Sequence, residues 1–198
     1  MTLPMLYYTG WASGKSPLFS VVFPTVVSHM SESTQQHRCE SPKSVRCAVV
    51  TISDTRTLET DRGGELIVKL LMEAGNQVSS RHIARDDPRE IEPLVLKLAD
   101  PATTDAVLLT GGTGIAARDR TFETVSGLLT KAMPGYGELF RMLSYTDIGP
   151  AAMLSRAVGG VLNNVIVLTM PGSVAAVQLA MEKLIVPEIG HLVYEARK

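Results

Sequence analysis

Apolar and polar residues alternate in two different rhythms from Val45 to the C-terminus. Arg46–Ile52 is short, apolar and rich in β-branched residues, which predicts a buried parallel strand, whereas residues 64–74 show the apolar periodicity of an amphipathic helix. A second strand is predicted at residues 77–83, and a third, buried strand at residues 105–110. Strands that alternate with helices in this way are typical of an α/β domain.

Helix signals follow the second and third of these strands. Asp87 is placed to cap a helix with Pro88 in its first turn, and Pro93 fits either the tolerated start of that helix or a kink. Later in the chain the pattern predicts a helix at residues 121–131, a turn at residues 133–138 and a further helix that ends near residue 145.

A hairpin is predicted in the C-terminal part of the chain. Residues 157–162 and 165–170 are apolar runs joined by an Asn-Asn pair at 163–164. The hairpin adds one antiparallel neighbour, so we expect a mixed sheet. Residues 173–194 are predicted to form the last helix, with a kink at Pro187.

The composition fits one domain with a tail. The chain has 198 residues, of which 45% are hydrophobic and 20% charged, so we place one globular domain at residues 45–198 and a disordered or extended tail at residues 1–44. The net charge of −1, without a basic stripe, argues against nucleic-acid binding. The two cysteines and four histidines show no disulfide or metal-ligand spacing, which fits a reducing cytoplasm.

The tail contains two segments that could mislead. The apolar run at residues 18–27 is shorter than the roughly 20 residues that span a membrane, and it contains Pro24, so we expect no membrane segment. Residues 10–16 resemble a P-loop, but their glycines are too close and no strand precedes them. Our hypothesis is that translation begins at Met30, which peptides from residues 1–29 in the native protein would refute.

The glycine-rich segment after the third predicted strand is the first candidate for chemistry. Thr110 ends that strand, and Gly111, Gly112, Thr113 and Gly114 follow it at the sheet edge where α/β proteins bind ligands. Glycines let backbone N–H groups approach phosphate oxygens. A tight turn that needs positive φ explains the same residues equally well.

Charged residues near this loop favour the phosphate interpretation. Asp119 is placed where a Mg²⁺ ion that bridges phosphates would find an oxygen ligand, and Asp86, after the second predicted strand, could supply a second carboxylate. Arg118 and Arg120 could balance phosphate charge. Surface solvation of the arginines and helix capping by Asp86 are the ordinary alternatives.

A series of short motifs runs through the domain in a fixed order. They are Gly111-Gly112-Thr113-Gly114, Arg118-Asp119 with Thr121, Pro134-Gly135-Tyr136-Gly137-Glu138, Phe140-Arg141-Met142-Leu143-Ser144, Asp147-Ile148-Gly149, Ser155-Arg156 and Pro171-Gly172-Ser173. From about Val45 to the C-terminus, this series resembles the MoaB/MogA family of molybdenum cofactor biosynthesis proteins, and the MoaB branch in particular.

The resemblance implies a three-layer α/β/α sandwich with a mostly parallel, mixed sheet, assembled as a homo-oligomer that is either a trimer or a hexamer. It also implies a reaction with ATP and molybdopterin as substrates. Family members transfer AMP from ATP to the terminal phosphate of molybdopterin and release pyrophosphate, and a later cofactor-assembly enzyme would receive the product. Such transfer depends mostly on positioning and on neutralisation of charge.

The resemblance also assigns roles to residues. Asp86 and Asp119 would hold Mg²⁺ and orient the nucleotide phosphates. The residues expected beside the nucleotide are Ser53, Asp54, Thr110, Gly111, Gly112, Thr113, Gly114, Arg118 and Thr121. Those expected at the pterin and its phosphate are Ser155, Arg156, Pro171, Gly172 and Ser173. For Pro134, Gly135 and Glu138, a turn and an interface are equally compatible roles.

Two positions depart from the family pattern. Phe122 stands where many members have proline, and Ser173 stands where the MogA branch commonly has asparagine. Neither change removes a carboxylate, so we expect a Mg²⁺-dependent adenylyltransferase. A non-catalytic molybdopterin-binding or scaffold protein is the main alternative. A nucleotide phosphatase or pyrophosphatase ranks last, because it leaves the pterin-associated motifs unexplained.

Overall fold

The computed structural model describes Arg38, Glu40 and residues 41–198. The predictions for the Met30 start, the apolar run at 18–27 and the P-loop-like segment at 10–16 lie outside these residues. Within the described part of the chain, no helix is both long enough and apolar enough to cross a membrane.

Six strands form one sheet in this part of the chain, in the order β2-β1-β3-β6-β5-β4. Their bounds are β1 Arg46–Ile52, β2 Gln77–Ala84, β3 Ala106–Thr110, β4 Lys131–Ala132, β5 Gly159–Leu162 and β6 Val165–Met170. The first four in spatial order are parallel, and β5 is antiparallel to both of its neighbours. The predicted mixed, mostly parallel sheet is therefore confirmed.

Helices cover both faces of the sheet. Their bounds are α1 Arg62–Glu73, α2 Pro88–Leu98, α3 Thr121–Leu128, α4 Pro134–Ile148, a 3₁₀ helix at Gly149–Leu154, α5 Val174–Ala180, a π-helix at Met181–Ile185 and α6 Val186–Arg197. Side chains of α1, α4, α5 and α6 contribute to one apolar core, and side chains of α2 and α3 contribute to the other. The predicted three-layer α/β/α architecture is confirmed.

Strand β1 shows why the central strands contain runs of consecutive apolar residues. Cys47 and Val49 pack into the core on one face, whereas Ala48 and Val50 pack into the core on the other. Successive side chains of a strand point to opposite faces, so a central strand of a three-layer fold must be apolar at both sets of positions.

Three predicted boundaries were wrong around β4. The turn predicted at residues 133–138 is helical: α4 begins at Pro134, since the first turn of a helix needs no N–H from proline, and it extends to Ile148. Helix α3 ends at Leu128, short of the predicted residue 131, because Thr130 N donates to Val161 O at 2.8 Å and leads into β4.

The C-terminal helical region also differs from the prediction. A single helix with a kink at Pro187 was expected, but the irregularity is the π-helix Met181–Ile185, and Pro187 lies in the first turn of α6. Pro93 lies inside α2, which continues to Leu98. The hairpin turn was predicted correctly, and Asn163 and Asn164 both have positive φ, at 52° and 62°.

Candidate functional site

The loops after four parallel strands meet at the carboxyl edge of the sheet. Strand register places Thr51 of β1 opposite Thr110 of β3, and Thr110 opposite Met170 of β6, while Ile52 lies opposite Ala84 of β2. The predicted site residues that follow these strands therefore start from one edge, the place where α/β sheets bind ligands.

The glycine loop, residues 110–114, needs its glycines for close packing. Gly111 and Gly112 have φ of 101° and 63°, values that residues other than glycine rarely adopt. A Cβ on Gly111 would lie 2.3 Å from Ile52 O, and a Cβ on Gly112 would lie 2.4 Å from Asp86 Oδ2. The loop is therefore a tight turn that also brings backbone against a carboxylate.

Backbone donors of this loop are free for a ligand. Gly111 N donates to Met170 O at 3.1 Å, so that amide is already used. The amides of Gly112, Thr113 and Gly114 donate no hydrogen bond to any residue that the structure describes. Three successive unused N–H groups are what a phosphate cradle requires.

Asp86 lies at the glycine loop and does not cap α2. Its Oδ1 accepts hydrogen bonds from Arg120 N at 3.0 Å and Thr121 Oγ1 at 3.4 Å, while the neighbouring Asp87 caps α2 by accepting from Arg89 N. Burial raises the pKa of Asp86, and the negative charge of Asp119 acts in the same direction, against the Arg120 hydrogen bond.

Asp119 lies on the other side of the glycine loop. Its Oδ2 accepts from Ala116 N at 3.1 Å and lies 2.4 Å from where a Cβ on Gly114 would be. Among the described residues, none donates to Asp119 Oδ1 or to Asp86 Oδ2. Each predicted metal ligand thus keeps one unused oxygen beside the loop.

Ser53 and Asp54 stabilise the local backbone. Ser53 Oγ accepts from Thr55 N and Arg56 N at 3.3 and 3.2 Å, which closes a turn after β1. Asp54 Oδ1 accepts from Asp86 N at 3.3 Å, and Asp54 is exposed. Asp54 therefore lies next to Asp86, and the place of the pair beside a nucleotide stays a prediction.

Arg156 binds protein rather than facing open space. Its Nε and Nη2 donate to the carbonyls of Thr113 and Gly114 at 2.8 and 2.5 Å, and its Nη1 pairs with Glu123 at 2.6 Å. The guanidinium also lies over the ring of Phe122, 4.6 Å from its centroid. Arg156 thus fixes the outer end of the glycine loop. Phe122, which stands where many family members have proline, packs against the Arg156 guanidinium.

The remaining predicted residues divide between the loop and its surroundings. Thr121 is buried and its N donates to Gly112 O at 3.0 Å, so it supports the loop from α3. Arg118 is exposed. Thr110 is also buried and donates to Pro171 O at 3.1 Å, and Ser173 Oγ caps α5 by accepting from Ala176 N. Ser155 N donates to Ala152 O at 2.9 Å.

Two neighbouring cavities open at this edge. The phosphate-loop cavity has a volume of about 470 Å³ and is lined by Ile52, Arg56, Gly111, Gly112, Thr113, Gly114, Leu154, Pro171, Gly172 and Ser173. A smaller cavity of about 230 Å³ shares Leu154, Pro171 and Ser173 with it and extends to Ser144, Asp147 and Ser155. Of the residues predicted at the nucleotide, Gly111, Gly112, Thr113 and Gly114 line the larger cavity, and Pro171, Gly172 and Ser173, predicted at the pterin, line it as well. Asp86, Asp119 and Arg156 line neither of these two cavities.

A buried carboxylate behind the first cavity was not anticipated. Asp61, which is 1% exposed, accepts hydrogen bonds from Thr51 Oγ1 at 2.7 Å, Gly64 N at 2.9 Å and Arg81 Nη2 at 3.0 Å. Burial alone would raise its pKa, but these three donors outweigh burial and lower it. The only signal in the sequence was its position at a helix start, two residues before the pair Gly63-Gly64.

Among the described residues, no group of three or more His, Cys, Asp or Glu side chains is placed to hold a metal ion. Asp86 and Asp119 are two carboxylates at the glycine loop, fewer than a metal site made wholly of protein ligands would have.

Comparison with known proteins places this site in a family context. A sequence profile described as a probable molybdopterin binding domain matches residues 48–191. The molybdenum cofactor biosynthesis proteins B of Bacillus cereus and Bacillus subtilis are 53% and 52% identical over 167 residues, which cover 84% of this chain and 99% and 98% of theirs.

Solved structures give the same result. A crystal structure of a molybdenum cofactor biosynthesis protein B is 54% identical with a TM-score of 0.77, and the match covers 79% of this chain and 98% of that one. The tungsten cofactor synthesizing protein MoaB of Pyrococcus furiosus is 35% identical with a TM-score of 0.70, over 80% of this chain and 100% of that one.

Proposed function

This chain belongs to the molybdopterin-binding family of molybdenum cofactor biosynthesis proteins, and we propose that it transfers AMP from ATP to the terminal phosphate of molybdopterin. Its role in molybdenum cofactor biosynthesis is shared with its relatives. The observation that supports the specific reaction is the glycine loop beside Asp86 and Asp119, where three amides and two carboxylate oxygens have no hydrogen-bond partner among the described residues.

The donor set fits Mg²⁺. This ion is usually bound by one or two carboxylates together with substrate phosphates, and the site offers Asp86 Oδ2 and Asp119 Oδ1 beside a phosphate cradle. When bound there, Mg²⁺ would neutralise charge on the phosphates of ATP. The chain's own part is to hold those phosphates with the amides of Gly112, Thr113 and Gly114.

This arrangement supports the following reaction. A terminal phosphate oxygen of molybdopterin forms a bond to the α-phosphorus of ATP, and the bond from that phosphorus to the β-phosphate oxygen breaks, so pyrophosphate leaves. We place the ATP phosphates in the larger cavity and the pterin in the adjoining one, near Ser155, Pro171 and Ser173. Since ATP is the co-substrate, we place the protein in the cytoplasm.

Arg156 acts on the loop in this proposal, which changes the role that the sequence suggested for it. Its donors are held by Thr113 O, Gly114 O and Glu123, so it keeps the cradle in shape instead of binding the pterin phosphate. Ser155 remains a candidate for pterin contact, because it lines the smaller cavity.

We also propose self-association through an apolar surface next to the site. Helix α4 and the 3₁₀ helix that follows expose large apolar side chains; these are Leu139, Met142, Tyr145, Ile148, Met153 and Leu154, which are 47–78% exposed. A cluster of this kind on a monomer marks an interaction surface. A homo-oligomer, as in the trimer or hexamer expected from the family, would cover it and complete the wall at Leu154.

Release of pyrophosphate tests the proposal. The pure protein is incubated with ATP and Mg²⁺, with and without molybdopterin, and pyrophosphate is measured. We expect release only when both substrates and Mg²⁺ are present. Tight binding of molybdopterin without pyrophosphate release would favour the non-catalytic pterin-binding protein, and release without molybdopterin would favour a nucleotide hydrolase.

A further inference from the structure

The phosphate-loop cavity has one positive side chain among its described lining residues, and the family motifs did not include it. Arg56 lies in the loop between β1 and α1, and its half-buried side chain lines the same cavity as the glycine loop. All the other described lining residues are apolar, glycine or hydroxyl-bearing. A polyphosphate that entered this cavity would meet no other described cation on its walls.

The other arginines near the site are not equivalent to Arg56. Arg156 has its donors taken by two loop carbonyls and by Glu123. Arg118 and Arg120 are exposed and do not line the cavity. Arg56 therefore differs from its neighbours in both position and availability.

The present partners of Arg56 hold it weakly. Its Nη1 and Nη2 both donate to Gly172 O, at 3.4 and 3.3 Å, which is long for an N–H···O hydrogen bond. Its Nη1 lies 3.9 Å from Asp61 Oδ1. Two donors that share one carbonyl at long distance leave most of the guanidinium's hydrogen-bonding capacity unused.

Asp61 lies near Arg56 without neutralising it. The carboxylate is already bound by Thr51, the Gly64 amide and Arg81, whose guanidinium is 3.0 Å away. Asp61 and Arg81 cancel each other's charge, so the positive charge of Arg56 remains for a ligand. The buried carboxylate thus lies near the arginine without a hydrogen bond to it.

We propose that Arg56 binds a phosphate group of a polyphosphate in this cavity, which the residues that carry the amides of Gly112, Thr113 and Gly114 also line. An arginine guanidinium matches two phosphate oxygens at once, which a lysine cannot do. That the polyphosphate comes from a nucleoside triphosphate rests on the proposed function. The anion site itself does not, because inorganic tripolyphosphate has the same chemistry.

Calorimetric titration of the full-length protein with inorganic tripolyphosphate, in the presence of Mg²⁺, tests this. The variants are Arg56→Gln, Arg56→Lys and, as the matched control, Arg62→Gln, which removes the same charge from an exposed position at the start of α1. We expect binding to weaken about tenfold or more in Arg56→Gln, and less in Arg56→Lys. Arg62→Gln should stay within about twofold of the wild type, since solvent screens distant surface charges.

Three results would overturn the inference: no binding of tripolyphosphate by the wild type, equal affinity in Arg56→Gln, or equal loss in Arg62→Gln. Thermal unfolding of each variant verifies that the fold is intact, and Arg56→Lys provides the comparison if Arg56→Gln is unstable. If tripolyphosphate binds as expected but pyrophosphate is never released from ATP, the anion site stands and the adenylyl transfer fails. If release occurs while Arg56→Gln binds normally, only the role of Arg56 fails.

Discussion

Replacement of Gly112 by alanine tests whether the glycine loop positions Asp86. A Cβ at residue 112 would lie 2.1 Å from Thr121 Oγ1 and 2.4 Å from Asp86 Oδ2, whereas real Cβ contacts are essentially never shorter than 3.0 Å. The neighbours must therefore move by at least 0.9 and 0.6 Å, the differences between 3.0 Å and those two distances. Thr121 Oγ1 donates to Oδ1 of the same carboxylate at 3.4 Å, so movement of either neighbour disturbs the hydrogen bond that holds Asp86.

A displacement of this size should damage catalysis more than folding. Misplacement of a reacting group by about 1 Å can cost roughly 100-fold in rate, so we expect kcat/KM to fall by about that factor in Gly112→Ala. The positive φ of residue 112 adds a stability cost of about 1–2 kcal/mol for alanine. Steady-state kinetics and urea unfolding measure the two effects separately.

Gly75→Ala is the matched control. Gly75 also has positive φ, at 80°, but a Cβ there would meet nothing within 4 Å, and it ends α1 far along the chain from the glycine loop. We expect a comparable loss of stability with unchanged kcat/KM. Our reasoning about the loop is refuted if Gly112→Ala retains the turnover of Gly75→Ala.

Four further changes test other parts of the account. Asp119→Asn should abolish turnover and leave molybdopterin binding largely intact, because it removes one charged oxygen ligand without changing the shape of the side chain. Product assays and equilibrium binding measure the two effects, and wild-type turnover in the variant would contradict the prediction. Arg156→Lys should lower the free energy of unfolding by about 1–3 kcal/mol, since lysine cannot bridge both loop carbonyls and Glu123. An unchanged urea midpoint would count against the stabilising role of these Arg156 contacts. Because the pKa of Asp61 is lowered, its stabilising effect is present above the ordinary aspartate pKa and is lost as pH falls through the folded-state pKa. Asp61→Asn should therefore lower the free energy of unfolding by about 3–5 kcal/mol at neutral pH and reduce the loss of stability on acidification. A variant that loses stability with falling pH as steeply as the wild type would argue against this. Tyr145→Glu should reduce the mass measured by light scattering to that of a monomer, and an unchanged mass would remove the α4 surface from the proposed interface.

The sequence predicted the central sheet because the physical constraint there is simple. β1, β3 and β6 are buried on both faces, so they read as continuous apolar runs with turn residues after them. Strand β4 could not be found in this way, since its two residues are exposed and pair through the backbone with β5. The start of α4 was missed because Pro134-Gly135 has the composition of a turn, although proline is equally suited to a first helical turn.

At the site, sequence reasoning reached residues but not their contacts. Asp86 and Asp119 were identified by the motifs, and the structure places both at the glycine loop. Arg156 binds the carbonyls of Thr113 and Gly114, which lie 43 and 42 residues away in the sequence. Every residue has a backbone carbonyl, so the sequence cannot indicate which ones an arginine binds. Asp61 and Arg56 were missed for a related reason, because the Asp61–Arg81 ion pair and the place of Arg56 in the cavity wall are specified only by the fold.

Formation of adenylylated molybdopterin is the most direct test of the central claim. A single-turnover mixture of protein, molybdopterin, ATP and Mg²⁺ is quenched and analysed by mass spectrometry, beside the same mixture with Asp119→Asn. We expect molybdopterin to gain the mass of AMP, with one pyrophosphate per adduct, in the wild type only. Molybdopterin that stays bound but unmodified under these conditions would contradict the claim that this family member is an adenylyltransferase.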